Sequence, residues 1–300
     1  MKLSTLKKRN SFFKILITVF IAVSAVMFIL PTVLTIANSF MTSSEISSNY
    51  GVMYDNMVGD TTTYISSKVN LKFIPDKVSF SQFETILFKN PDYLMKFWNS
   101  VRLVLPITVF QIVVAILTSY GFARHSGRIK EMIFFAYIIL MLMPYQVTLV
   151  PNYLVAKDYL HILDTRWAVI LPGIFSPFTV FLLTKVMRRI PHSYIEAAKL
   201  DGASEFQILR HICIPLCKGA LVSVSLLVFI DYWNMVEQPM IMIANKDKHP
   251  LSVFLSEINT GDIGIAFSVA LIYMLPTLLM FLYGEDYLVE GITYAGGIKG

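Results

Sequence analysis

Charged side chains are scarce in this chain: they make up 15% of its 300 residues, with 5 His and only 2 Cys. Soluble domains carry about 25% charged residues, so a free-standing soluble domain of this length is excluded. Cys213 and Cys217, four residues apart in a basic loop that reads as cytoplasmic, are not expected to form a stable disulfide, and with His211 they match no zinc-ligand spacing. No Gly-x4-Gly-Lys-Ser/Thr loop occurs, so the chain lacks the usual cradle for ATP phosphates. A nucleophile elbow, a His-Glu-x-x-His helix and a Ser/His/Asp pattern are missing too, which leaves no catalytic residue to name. The net charge of +5 comes from Lys and Arg beside apolar runs rather than along an aromatic-studded groove. That arrangement implies a lipid membrane and no nucleic acid.

What is abundant is apolar surface. Hydrophobic residues make up 55% of the chain and mean hydropathy is +0.62. A bilayer core about 30 Å thick takes about 20 helical residues per crossing. Runs of that size predict six spans, at 13–40, 99–123, 131–153, 167–187, 216–243 and 264–284. The first follows the basic start MKLSTLKKRNSFFK, but its run is too long for a signal peptide and has no small-x-small cleavage site, so it reads as a retained helix. Most Lys and Arg fall in the N-terminus and the short 124–130 and 185–218 loops, which places those loops and both termini in the cytoplasm. The expected fold is an all-α membrane protein of six transmembrane helices, multi-pass with both termini cytoplasmic.

Three parts follow: a tail and first helix over 1–41, an extracytoplasmic segment over 42–96, and a five-helix core over 97–300. Within the segment, 42–66 reads as a disordered linker. Pro75 and the aromatic and aliphatic residues after it read as a short amphipathic helix on the outer membrane surface, with Trp98 at the interface.

Residues 191–216, PHSYIEAAKLDGASEFQILRHICIPL, are a polar interruption between two apolar spans. Ser193 precedes Glu196 by three residues, as Ser204 precedes Gln207, and Gly202 between them suits a left-handed helix stop. The pattern predicts helix, turn, helix, with two capping boxes. Pro191 and Pro215 suit helix starts, where a missing N–H is harmless. Small Ala197, Ala198 and Ala203 would let another protein approach the backbone closely.

Glu196-Ala197-Ala198, then Gly202, then Ile212, Ile214 and Pro215 resemble the EAA loop of bacterial ABC importer permeases. SYGFARHSGR (119–128), MPYQVTLVPNYL (143–154) and RWAVILPGIFSPFTVFLLTKVMRRIPHSYIEAAKLDGAS (166–204) extend the resemblance over roughly 70–300. It is greatest to the second membrane subunit of maltose-type or glycerol-phosphate-type carbohydrate importers. The resemblance implies that 191–216 is a cytoplasmic coupling helix seated on a separate ABC ATPase through Glu196, Ala197, Ala198, Asp201, Gly202, Ala203, Ile212 and Pro215. It implies no cofactor in this chain, ATP and Mg being bound by that ATPase. It also implies a second homologous permease subunit and an extracellular solute-binding protein.

The fifth span, LLVFIDYWNMVEQPMIMI, holds Asp231, Asn234, Glu237 and Gln238 in an otherwise apolar run. At about 100° per residue, Asp231, Asn234 and Gln238 share one helical face. Ionisable groups at that depth are costly unless they face a cavity or a partner, so they mark a site. Pro239 would free the Met235 carbonyl and bend the helix. The resemblance implies that this region lines the translocation pathway, with Tyr232 and Trp233 stacking on sugar faces. Asp231 and Glu237 read equally as solute contacts or as partners for polar groups of the second permease. Tyr145 and Gln146 beside Pro144, and Ser176 beside Pro177, join the pathway candidates as helix interruptions, although each also reads as a packing kink.

Departures from the family bear on the solute. Glu285, Asp286 and Glu290 stand where sugar permeases have neutral or basic residues, and Glu237-Gln238-Pro239 adds negative charge. A carboxylate lining suits a neutral or cationic solute better than an anionic sugar phosphate. Import of a sugar or oligosaccharide is the first reading. The same role for a peptide, a polyamine or an export-linked compound is the second, and a non-transporting membrane scaffold for an ATPase the third.

Overall fold

Prolines and glycines decide where this helical chain breaks. The computed structural model describes residues 2–46, 48–50, 70–124, 127–257 and 263–296, and among these every regular element is helical. In chain order they are α1 (Lys2–Ser39), α2 (Ser81–Glu84, continued by a π-turn to Lys89), α3 (Pro91–Arg124), α4 (Arg128–Met141), α5 (Tyr145–Leu154), α6 (Trp167–Gly173), α7 (Pro177–Met187), α8 (His192–Leu200), α9 (Glu205–Ile208), α10 (Lys218–Trp233), α11 (Glu237–Met242), α12 (Leu251–Ser256) and α13 (Ile263–Gly296). Short helical segments at 43–46 and 48–50, π-turns at Val155–Tyr159 and Leu209–Cys213, a one-turn helix at Ile214–Leu216 and a 3-10 turn at Lys246–Lys248 add to these.

Among the described residues four stretches are long and apolar enough to cross a membrane: Phe13–Ser39, Pro91–Arg124, Trp167–Met187, which is interrupted at 174–176, and Gly264–Tyr287. Two further helix pairs pass the same test only together, Arg128–Met141 with Tyr145–Tyr159, bent by 101°, and Glu205–Leu216 with Lys218–Trp233, bent by 79°, each a broken span or a re-entrant loop. Four to six candidate spans thus stand against the six expected, and the third and fifth are not the straight helices read from the sequence. Pro144 explains the third: extended at φ −63, ψ 140, it opens α5 and biases Met143 away from helix. The fifth was expected to run over 216–243, yet α10 stops at Trp233 and a new short helix begins at Glu237.

By contact density, residues 1–91 with 258–272 form one unit and 92–257 with 273–300 a second. In the first, the segment expected to be disordered from 42 is helical and packed as far as it is described: Tyr50 is buried and its hydroxyl accepts a hydrogen bond from Asn38 Nδ2 at 2.7 Å. Residues 51–69 lie outside the described residues. The buried Gln82 amide donates to Met41 O and accepts from Ser268 Oγ at 2.7 Å. The expected surface helix after Pro75 is α2 with its π-turn, and it leaves Phe80 and Phe88 exposed.

In the second unit, α4 lies on α7 through stacked Phe134 and Phe181 rings 6.1 Å apart, with the Arg188 guanidinium 4.8 Å over Phe134. α13 meets α10 at Gly284, where an added Cβ would stand 2.0 Å from Leu226 Cδ1, while Ser223 Oγ donates to Tyr287 O at 2.7 Å. Leu226 is itself buried and has no room to retreat. Gly284→Ala is therefore expected to destabilise the protein by about 1–3 kcal/mol through overpacking, read as a lowered midpoint of thermal unfolding in detergent.

The loops at 160–166 and 244–250 are tied by charge. Asp164 Oδ1 accepts the Asn245 N–H at 2.9 Å and Oδ2 meets Lys248 Nζ at 3.1 Å. The backbone N–H first, and the ammonium second, hold this carboxyl below the ordinary carboxylate range. A lowered pKa in the folded state means the contact stabilises at neutral pH and is lost as pH falls through that value. Melting curves of wild type and Asp164→Asn should therefore differ near neutrality and converge on acidification below about pH 4.

Candidate functional site

The end of α10 frames a cavity of about 480 Å³ lined by Tyr145, Gln146, Asp231, Tyr232, Asn234, Glu237 and Gln238, with Met235 and Val236. Three breaks in helical order build it. Pro144 turns α5 so that Tyr145 and Gln146 sit at its first turn. Asn234 ends α10, its side chain bonded to Ile230 O at 2.8 Å and to the Tyr273 hydroxyl at 2.8 Å. Val236 then leaves helical geometry (φ −123, ψ −56) before α11. The carbonyl of Met235, which Pro239 leaves without its helical donor, accepts from Ser252 Oγ at 2.6 Å.

Neither Asp231 nor Glu237 forms an ion pair among the described residues, and the lining carries no Lys or Arg. The site is therefore a hollow with two free carboxylates, two phenol-bearing walls and three side-chain amides beside the broken helix. It suits hydroxyl and cation recognition and repels anions.

Tyr232 is held at one edge of this cavity. Its hydroxyl lies 3.4 Å from Gly173 O, and a Cβ at Gly173 would meet its ring at 3.1 Å. A second cavity of about 370 Å³ also reaches Asp231 and Tyr232, and adds Ser176, Gln111 and Thr179.

Residues 192–217 fold as a tight hairpin. α8 ends in a Schellman turn: Gly202 has φ 81, its N–H bonds Lys199 O at 3.0 Å, and Ala203 N–H bonds Ala198 O at 2.9 Å. The next residue caps α9, Ser204 Oγ accepting Gln207 N–H at 3.3 Å and Gln207 Oε1 accepting Ser204 N–H at 2.7 Å. The other expected capping box, Ser193 with Glu196, does not form, because extended Pro191 is itself the N-cap and Ser193 falls inside the first turn.

Ala198, Ala203 and Ile212 pack against a core that includes Ile195, Ile208, Met187 and Cys213, whereas Leu200, Tyr194 and Phe206 stand exposed. A hollow of about 320 Å³ opens beside Asp201, Gly202, Gln207 and His211. The hairpin is fastened to the end of α3: the Tyr120 hydroxyl donates to Glu205, and Arg124 Nη2 reaches Cys213 Sγ at 3.7 Å while also donating to Met187 O of α7 at 3.2 Å.

Residues 111–288 match the family described as "Binding-protein-dependent transport system inner membrane component". The chain belongs to this family. It is a multi-pass membrane permease component, and several of its relatives are named for sugars. It is 28% identical, over 97% of both chains, to the "Arabinooligosaccharides transport system permease protein AraQ" of Bacillus subtilis (strain 168). It is 26% identical to the "Lactose transport system permease protein LacG" of Rhizobium radiobacter, over 79% of this chain and 87% of that one. Its fold matches a chain in the crystal structure of a bacterial ABC transporter involved in the import of the acidic polysaccharide alginate, with a TM-score of 0.77 at 20% identity, over 93% of this chain and 97% of that one.

In this permease, Asp231, Asn234 and Gln238 do share a cavity, although not one helix, since α10 ends before Asn234. Trp233 corrects the expectation of ring stacking on solute. It is buried between Phe229 (5.4 Å), Tyr273 (5.7 Å) and Phe97 (5.7 Å), and its indole N–H donates to Tyr273 O at 3.0 Å. Pro239 is likewise buried and shapes the break rather than the lining. Ser176 caps α7 and faces the second cavity, not the first. Of the hairpin residues, Glu196, Ala197, Asp201, Gly202 and Pro215 are exposed. Gln111 and Thr179 escaped the sequence reading, although Gln111 is the one polar amide in the apolar run PITVFQIVVAIL.

Proposed function

We propose that this chain is one of two homologous permease subunits of an ATP-driven importer that receives a neutral sugar or oligosaccharide from an extracellular binding protein. The observation that carries the solute class is the cavity at the α10 break, where Tyr145 and Tyr232 rings accompany hydroxyl-binding groups and no cation. The relatives' names point to saccharides, and the two free carboxylates argue against an acidic one. In this reading 1–41 is an anchoring tail and helix, 42–96 an extracytoplasmic segment and 97–300 the permease core. Both termini and 191–216 face the cytoplasm.

The 191–216 hairpin is the coupling helix in this proposal. Its exposed Leu200 and Tyr194, with the hollow at Gly202, would seat in a separate ABC ATPase that binds ATP and Mg. ATP-driven closure would move the hairpin, and the Tyr120–Glu205 and Arg124–Cys213 contacts would carry that motion into α3.

A cationic solute is the second reading, favoured by Asp231 and Glu237 alone. Competition binding to the cognate binding protein separates the two. Displacement by neutral oligosaccharides supports the sugar, and displacement by a polyamine or basic peptide with no response to sugars overturns it.

A further inference from the structure

Gln111 is buried to 2% exposure in the middle of α3, and its side chain is only half satisfied. Nε2 donates to Thr179 Oγ1 at 2.8 Å, while Oε1 has no partner. Interchanging the amide oxygen and nitrogen would move the orphan to the other atom without removing it. An unpaired polar atom away from water is costly, so such a group in an apolar span calls for a ligand or a reason.

The surroundings supply the ligand's chemistry. Thr179 Oγ1 continues the chain to Ser176 Oγ at 3.2 Å, and all three residues line the second cavity, whose remaining walls are the apolar Phe178, Val224, Leu227 and Val228. Only Asp231 is charged there, and it is shared with the first cavity along with Tyr232. An amide and two hydroxyls on an otherwise apolar wall match the edge and the face of a neutral polyhydroxylated ring. They offer no cation to a phosphate or a carboxylate, and Asp231 nearby repels one.

We infer that Gln111, Thr179 and Ser176 form a second recognition station for a neutral saccharide ring, adjoining the Asp231–Glu237 cavity. Within the proposed function, an oligosaccharide too long for one hollow places successive rings in the two, on either side of the shared Asp231 and Tyr232. This inference rests on reading the first cavity as the solute route. Gln111 therefore determines specificity, acting after the binding protein has delivered the solute.

The test uses the complete importer reconstituted in liposomes with its binding protein and a neutral oligosaccharide that stimulates the wild type. Gln111→Met removes the amide at similar volume. Leu227→Phe narrows the same cavity without touching the Gln111–Thr179 bond, so it works even where Gln111→Met assembles poorly. Each is expected to lower oligosaccharide uptake about tenfold, the value of a lost hydrogen bond or two, with ATP hydrolysis stimulated by the loaded binding protein kept within about twofold. Unchanged uptake in Leu227→Phe overturns the station, as does a parallel fall of uptake and stimulated hydrolysis in both variants, which is the mark of packing alone. A wild type that no saccharide stimulates is a different failure and refutes the solute reading itself.

Discussion

Gly202→Trp is expected to disconnect the permease from its ATPase while leaving the permease folded. Gly202 sits at φ 81, where an L side chain is strained, yet a Cβ there meets nothing within 4 Å. The intramolecular penalty is thus confined to the left-handed backbone, roughly 1–2 kcal/mol. An indole would fill the hollow beside Asp201, Gln207 and His211, which is the surface the proposed ATPase must cover. Loss of a seated contact at the centre of an interface is worth 2 kcal/mol or more, so co-purification of the ATPase should weaken on the order of 30-fold or beyond. Gly202→Asn is the control, because Asn tolerates the left-handed region. It should retain both the ATPase and coupled transport. Undiminished association in Gly202→Trp would show that the hairpin is not the docking element.

Asp231→Ala should reduce solute uptake about 10- to 100-fold, since hydrogen bonds to a charged group contribute about 1.5–3 kcal/mol. The carboxylate lines both cavities and has no ion-pair partner among the described residues. Its removal therefore breaks no internal salt bridge, and the purified chain should melt as wild type does. Uptake kinetics in proteoliposomes give the answer. Normal uptake would point to the scaffold reading, whereas a complex that falls apart would mean Asp231 faces the second permease rather than solute.

The spans were legible as apolar runs near 20 residues, four of them as span-length stretches and two as bent pairs. Their straightness was not. Pro144 was visible in the sequence but read only as a local feature, whereas it turns the third crossing by 101°. The Gly202 stop and the Ser204–Gln207 box were legible because they are local devices set by residues a few positions apart. The Ser193 box failed because Pro191 claimed the cap, which spacing alone does not reveal.

At the cavity, helical periodicity placed Asp231, Asn234 and Gln238 on one face for a reason that does not hold, since the helix has ended by Asn234. They meet because the chain turns there and Tyr273 and Ser252 satisfy the freed groups from distant helices. Trp233 points the other way for the same reason: an indole N–H finds Tyr273 O inside the aromatic cluster, a partner forty residues on. Gln111 became visible only when the fold brought Thr179 beside it.

The decisive measurement is ATP hydrolysis by the assembled importer in lipid nanodiscs, with its binding protein and a panel of neutral oligosaccharides, acidic saccharides and polyamines. The expected result is stimulation by a neutral oligosaccharide and none by acidic sugars, with the stimulation abolished by Gly202→Trp. Stimulation by a polyamine or an acidic saccharide alone would contradict the reading of the Asp231–Glu237 cavity, and stimulation that survives Gly202→Trp would contradict the coupling role of the hairpin.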